Sequence, residues 1–214
     1  MKRLILSLCL FLVTPLVWAL DANGSQHLAA IQQRWAEIQY RTPEAQRAVA
    51  FEKLAADSEA FTHEQPGAAE AWIWHGIVSS SWAGAEGGLS ALGKVKTARA
   101  SLEKALQLDP GALQGSAYTS LGALYDRVPG WPLGFGDEDK AEQMLRKALQ
   151  LNPDGIDSLY FWGDHLYRQK QYNAAASALE KALQAPPRPG RELADQGRRG
   201  EIDALLREIR EKQD

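Results

Sequence analysis

The sequence predicts an all-α fold, a solenoid of stacked helical hairpins, and three observations predict it. First, three segments nearly copy one another: Ala98 to Pro110 (ARASLEKALQLDP), Ala141 to Pro153 (AEQMLRKALQLNP) and Ala175 to Pro187 (AASALEKALQAPP). Second, the copies recur at a hairpin-sized spacing, with Pro153 and Pro187 34 residues apart and Pro110 and Pro153 43 apart; such a period marks a repeat architecture. Third, a partner helix precedes each copy and carries a glycine: Gly76 beyond Trp72, Gly122 between Leu121 and Tyr125, and Gly163 between Trp162 and Leu166. Within each copy a leucine (Leu102, Leu145, Leu179) follows the first alanine by four residues, and a second alanine (Ala105, Ala148, Ala182) follows three later. That spacing places all three on one helical face. The alanines admit a close neighbour, and the proline stops the helix. A hairpin of this kind cannot bury its apolar face alone, so the hairpins must stack.

The elements follow in order. Lys2 and Arg3, the apolar run from Leu4 to Val13, and Val17-Trp18-Ala19 form the three-part pattern of a secretory signal peptide. Residues 1–19 are therefore expected to be cleaved after Ala19, leaving a periplasmic protein with no stable membrane span, the run being too short for one. Cys9, the only cysteine, lies inside that run behind Leu8, which is not the placement of a lipid-bearing cysteine. The mature chain has no disulfide to rely on. Residues 20–66 hold two helices, Gln26 to Tyr40 and Glu44 to Phe61, split by Thr42-Pro43. Leu28, Ile31, Trp35 and Ile38 share one face of the first, and the pair reads as a degenerate repeat. Three repeats follow, at residues 67–110, 111–153 and 154–187. After the break at Pro186-Pro187-Arg188-Pro189-Gly190, residues 188–214 supply a capping helix over Arg191 to Lys212. Its Ile202, Leu205, Leu206 and Ile209 lie on one face and its charges elsewhere, as a terminal cap requires.

Two of the repeats are longer than the third between their helices. The first insertion runs from Ser79 to Gly88 and the second from Val128 to Asp137. Both are expected to be loops. Trp82 in the first, and Trp131 and Phe135 in the second, are large apolar side chains among glycines and prolines. They are costly there unless they pack or bind, and they suggest aromatic lids at one mouth of the solenoid.

The repeated pattern, a large residue, Leu-Gly and Tyr on the first helix, then Ala, Leu, Ala and Pro on the second, resembles the tetratricopeptide consensus across residues 66 to 187. The second insertion is more specific. Pro129, Gly130, Trp131, Pro132 and Gly136-Asp137, with the helix after them, are similar to the T-component of TRAP-type transporters and to related exported bacterial repeat proteins. That resemblance implies a helical repeat around a pore and a role beside a periplasmic substrate-binding protein.

No pattern for catalysis stands out. Gly88 to Lys94 approaches a phosphate-binding loop, but Val95 stands where a hydroxyl must reach Mg²⁺. His27, His63, His75 and His165 have no second ligand at metal-binding spacing. Neither a Gly-x-Ser-x-Gly elbow nor a His-Glu-x-x-His motif occurs. Asp137-Glu138-Asp139 reads as a helix N-terminus, where carboxylates complement free N–H groups. Loss of Lys2 and Arg3 leaves 22 basic residues against 27 acidic ones, which does not favour nucleic acid. No enzyme activity, cofactor or metal is expected. The concave face should come from the first helix of each pair, which brings Asp157, Tyr160, Asp164 and Tyr167 together with Tyr125 and Asp126. With Trp82, Trp131 and Phe135 these form the candidate partner-binding set, a mixed aromatic and acidic groove suited to a polypeptide with basic and apolar side chains. The alternative is a small apolar ligand held beneath the aromatic insertions.

Overall fold

Asp21 opens the first helix: its carboxylate accepts the backbone N–H of Gly24 at 2.6 Å, satisfying a donor that the helix itself leaves unpaired. The computed structural model describes residues 20–213, so the predicted signal segment and Cys9 lie outside the described residues. The helices are α1 (Ala22–Tyr40), α2 (Glu44–Glu64), α3 (Ala69–Glu86), α4 (Ala91–Leu108), α5 (Ala112–Arg127), α6 (Glu138–Leu151), α7 (Ile156–Arg168), α8 (Tyr172–Leu183) and α9 (Glu192–Gln213). No strand occurs among the described residues. No helix among them is long and apolar enough to cross a membrane.

The repeats pack as their sequence copies predict. Ala98, Leu102 and Ala105 are fully buried, as are Ala141, Leu145, Ala148, Ala175, Leu179 and Ala182. Each repeat's glycine makes room for its leucine. A Cβ on Gly76 would stand 2.6 Å from Leu102 Cγ, one on Gly122 2.6 Å from Leu145 Cγ, and one on Gly163 2.7 Å from Leu179 Cγ. The glycine and the leucine thus form one recurrent lock between the two helices of a hairpin.

The first insertion is corrected by the structure. Residues 79–86 continue α3 instead of looping out, and only residues 87–90 connect α3 to α4. The ten extra residues lengthen the hairpin, because Ser79 to Glu86 holds no proline to stop the helix. Gly87 and Gly88 make the turn, both at positive φ (66° and 63°), a conformation only glycine adopts without strain. The second insertion is a loop, folded on itself. Gly134 N donates to Gly130 O at 3.1 Å, Gly136 N to Pro129 O at 3.0 Å, and Asp137 N to Tyr125 O at 2.9 Å. Asp137 then caps α6, accepting Lys140 N at 3.1 Å.

A left-handed turn at the start of α5 adds a feature that the repeat pattern does not contain. Leu113, Gln114 and Gly115 have φ of 47°, 55° and 78°. Pro110 and Gly122 are twelve residues apart, whereas Pro153 and Gly163 are ten. The turn absorbs the two extra residues, and Leu113 and Gln114 carry the strain of the left-handed region.

The inner helices close on themselves. α1, α3, α5, α7 and α9 each touch the next, and α9 touches α1. α9 therefore does more than cap the last repeat. It occupies the place of a fifth inner helix, and Gly197 on it lies against the ring of Tyr40 at the end of α1. Ala194 of α9 joins the core formed by α1 to α5, while Ile202, Leu205, Leu206 and Ile209 bury against α7 and α8.

Candidate functional site

Closure of the inner helices leaves a central cavity of about 1240 Å³. Its wall is largely aromatic and aliphatic: Trp35, Phe51, Trp74, Ile77, Leu92, Leu124, Ile156 and Phe161 all contribute. Trp35 Nε1 donates to Ser81 Oγ at 2.8 Å, and its ring meets Trp74 edge-on at 6.0 Å. This aromatic floor comes from α1 and α3, the helices that carry the degenerate first repeat and the lengthened hairpin.

The charged part of the wall is mixed, where the sequence suggested an acidic groove: Glu44, Asp154 and Glu201 line it, and so does Arg47. Arg127, Arg188, Arg191 and Arg198 line the cavity. Asp157 lines it too, but both of its oxygens are taken, by Arg198 at 2.8 Å and Arg188 at 2.7 Å. Burial works against that carboxylate, and the two guanidinium groups outweigh it, holding its pKa down at about 2. Arg198, buried over Tyr160 and Phe161 at 4.2 Å and 4.9 Å, also pairs with Glu201. Asp195 holds Arg188 from the far side at 2.6 Å.

The other candidate acids are spent in the same way. Asp164 accepts Arg127 at 2.7 Å and Arg168 at 3.3 Å. The Asp126 side chain is only 4% exposed, accepting from Arg168 at 3.2 Å and meeting His165 Nδ1 at 2.8 Å. Together they tie α5 to α7 rather than facing a partner. Spacing along a helix places a carboxylate on a face but does not show which cation of the next helix will meet it.

The aromatic candidates do not converge either. Tyr160 lines the cavity, and burial raises its pKa. Tyr167 lies outside it, against Tyr172 at 5.7 Å. Trp82 stacks under Lys94 Nζ at 4.2 Å, and Lys94 pairs with Glu86 at 2.7 Å; the residues of the near phosphate-loop motif are thus a helix start. Phe135 is half-buried, edge-on to Tyr125 at 5.6 Å, with Arg99 over its other face at 4.4 Å. It braces the loop against the second repeat. Trp131 is 89% exposed and touches neither core nor cavity, because the loop's own hydrogen bonds hold it at the tip. Leu133 and Pro129 of the same loop do border the cavity mouth.

His75 is buried, its Nδ1 3.0 Å from Ser58 Oγ, and burial lowers its pKa, as for a neutral core histidine. Among the described residues no group of three or more His, Cys, Asp and Glu side chains is gathered as a metal site would need.

Comparison with known proteins agrees with this architecture. The tetratricopeptide repeat model matches residues 89–111 and 134–154, which span all of α4 and all of α6. A solved structure, a thermophilic tetratricopeptide-repeat protein of Thermus thermophilus, aligns with a TM-score of 0.55 at 16% identity. The alignment covers 84% of this chain and 98% of that one. No curated protein sequence matches the chain. The chain therefore carries tetratricopeptide repeats, folded as an all-α helical-hairpin solenoid.

Proposed function

We propose that the protein is an exported, non-catalytic repeat scaffold that seats an elongated, largely apolar ligand inside its ring. The observation that carries this reading is the closed set of inner helices around a cavity of about 1240 Å³ with an aromatic floor. Concave, mostly apolar clefts and cavities with a few converging polar groups are the usual form of a ligand site. Export rests on Lys2, Arg3, the apolar run and Val17-Trp18-Ala19. Intact-mass measurement of the exported protein is expected to give a chain beginning at Leu20, and a chain retaining Met1 to Ala19 refutes that part.

A neutral apolar dye, Nile red, tests the cavity. Ala123 lines it from α5, so Ala123→Trp fills the space. We expect the wild type to bind the dye with enhanced emission and the variant to lose at least tenfold in affinity while melting within a few degrees of wild type. Equal binding by both proteins places the dye elsewhere and rejects the reading.

A polypeptide partner is a second reading, favoured by Trp131. A tryptophan held 89% exposed on a hydrogen-bonded loop has no structural use, and Trp is prominent among residues that anchor interfaces. The resemblance of this loop to the transporter T-component suggests a periplasmic binding protein as the partner. Trp131→Ala is expected to leave dye binding and the melt unchanged and to lower recovery of a crosslinked partner protein from periplasm. Unchanged recovery removes the loop from consideration.

A further inference from the structure

Of the five arginines of the cavity wall, Arg47 and Arg191 meet no carboxylate among the described residues, and Arg47 is engaged elsewhere, its Nε donating to Thr42 O at 2.9 Å. Arg127, Arg188 and Arg198 each meet a carboxylate at 2.8 Å or closer. Arg191, just before α9, has no such partner among the described residues, and its Nε is sealed from solvent with nothing to accept its proton. Burial and the neighbouring Arg188 both disfavour its charge. Its guanidinium lies over the Trp74 ring at 4.9 Å, against the aromatic floor. Trp74 is itself buried, and its Nε1–H also lacks an acceptor. A buried donor without a partner is destabilising, and here two such donors sit side by side on one wall.

Resting on the cavity reading above, we propose that Arg191, held over Trp74, is the anion receptor of the cavity and takes a carboxylate attached to an apolar body. A carboxylate matches the fork of a guanidinium through two parallel hydrogen bonds. The apolar body then runs across the floor formed by Trp35 and Trp74, beside Phe51 of the wall. Asp157 pairs with Arg188 and Arg198 and makes no hydrogen bond to Arg191. The chemistry is shared by a free organic acid and by the C-terminal residue of a polypeptide.

Decanoate and 1-decanol separate recognition of charge from recognition of the chain. Titrations followed by tryptophan fluorescence are expected to show decanoate binding at least tenfold more tightly than 1-decanol. Arg191→Met should erase that preference while leaving 1-decanol affinity unchanged, which also reports an intact cavity in the variant. Arg191→Lys should restore only part of it. Leu-Leu-Phe with a free carboxyl, compared with its C-terminal amide, tests the polypeptide source; tighter binding than decanoate assigns the site to a chain terminus. Equal affinity for decanoate and 1-decanol, or a preference that survives Arg191→Met, overturns the anion site and leaves the cavity reading standing. Failure of every probe to bind overturns both.

Discussion

Single residues decide what the interior recognises, and Asp157 shows how. On the sequence it stands one turn before Tyr160 on an inner helix and reads as an acidic contact for a partner. In the structure it is the shared counter-ion of Arg188 and Arg198, joining the segment before α9 and α9 itself to α7. The carboxyl is held at about 2, below the 3.8 of an ordinary aspartate. The folded chain therefore binds fewer protons than the unfolded chain between those values, and its stability must fall as the pH drops through that window. Asp157→Asn should cost about 2 kcal/mol near neutral pH, since it weakens charged hydrogen bonds and leaves two cations facing each other. Urea unfolding of both proteins at stepwise pH should show the gap narrowing as the pH falls from about 4 towards 2. A gap that stays constant with pH means the carboxylate is not the bearing charge. The same residue explains why the site was less legible than the fold. Arg188, Arg191 and Arg198 lie in a proline-rich break and on a charged terminal helix, where a cation ordinarily faces water. Nothing in their local pattern shows that α9 turns inward.

At the scale of one hairpin, the sequence is a reliable guide, because the physics there is local. The interval between alanine, leucine and alanine is a helical face, and the structure buries all nine of those residues fully. The partner glycine is equally readable. Gly122 has Leu145 Cγ 2.6 Å and Ala141 O 3.3 Å from where its Cβ would stand, while Gly84, also inside a helix, has nothing within 4 Å. Alanine is the better helix former by about 1 kcal/mol. Gly84→Ala should therefore stabilise, by up to about 1 kcal/mol. Gly122→Ala should instead destabilise by about 1–2 kcal/mol, because overpacking outweighs propensity. Thermal melts of the two variants decide by sign alone; two shifts in the same direction refute the lock. Where local reasoning fails, a length is known but not its use. Ten residues added before Ala98 become two longer helices, since no proline interrupts Ser79 to Glu86. Two residues added after Pro110 become the left-handed turn of Leu113 and Gln114.

For the whole molecule the decisive property is curvature. Each hairpin is rotated slightly against the last, and the rotations sum until α9 meets α1. No residue pattern states that sum, so the sequence supports a solenoid and a concave face but not a closed circuit of inner helices around a cavity. The degenerate first repeat and the terminal helix, which read as two unrelated ends, are the two sides of one seam. Tyr40 fills that seam against Gly197, and its burial raises its pKa. The cavity and the Arg191–Trp74 wall depend on the seam being shut. It can be measured directly by electron-spin dipolar spectroscopy on the cysteine-free chain from Leu20 onward, with spin labels at the exposed positions Glu37 on α1 and Gln196 on α9. The closed ring predicts a single narrow distance, that of neighbouring helices with axes about 8–10 Å apart plus the reach of the labels. A broad distribution reaching well beyond that separation would mean an open solenoid, and the central cavity would not exist as described.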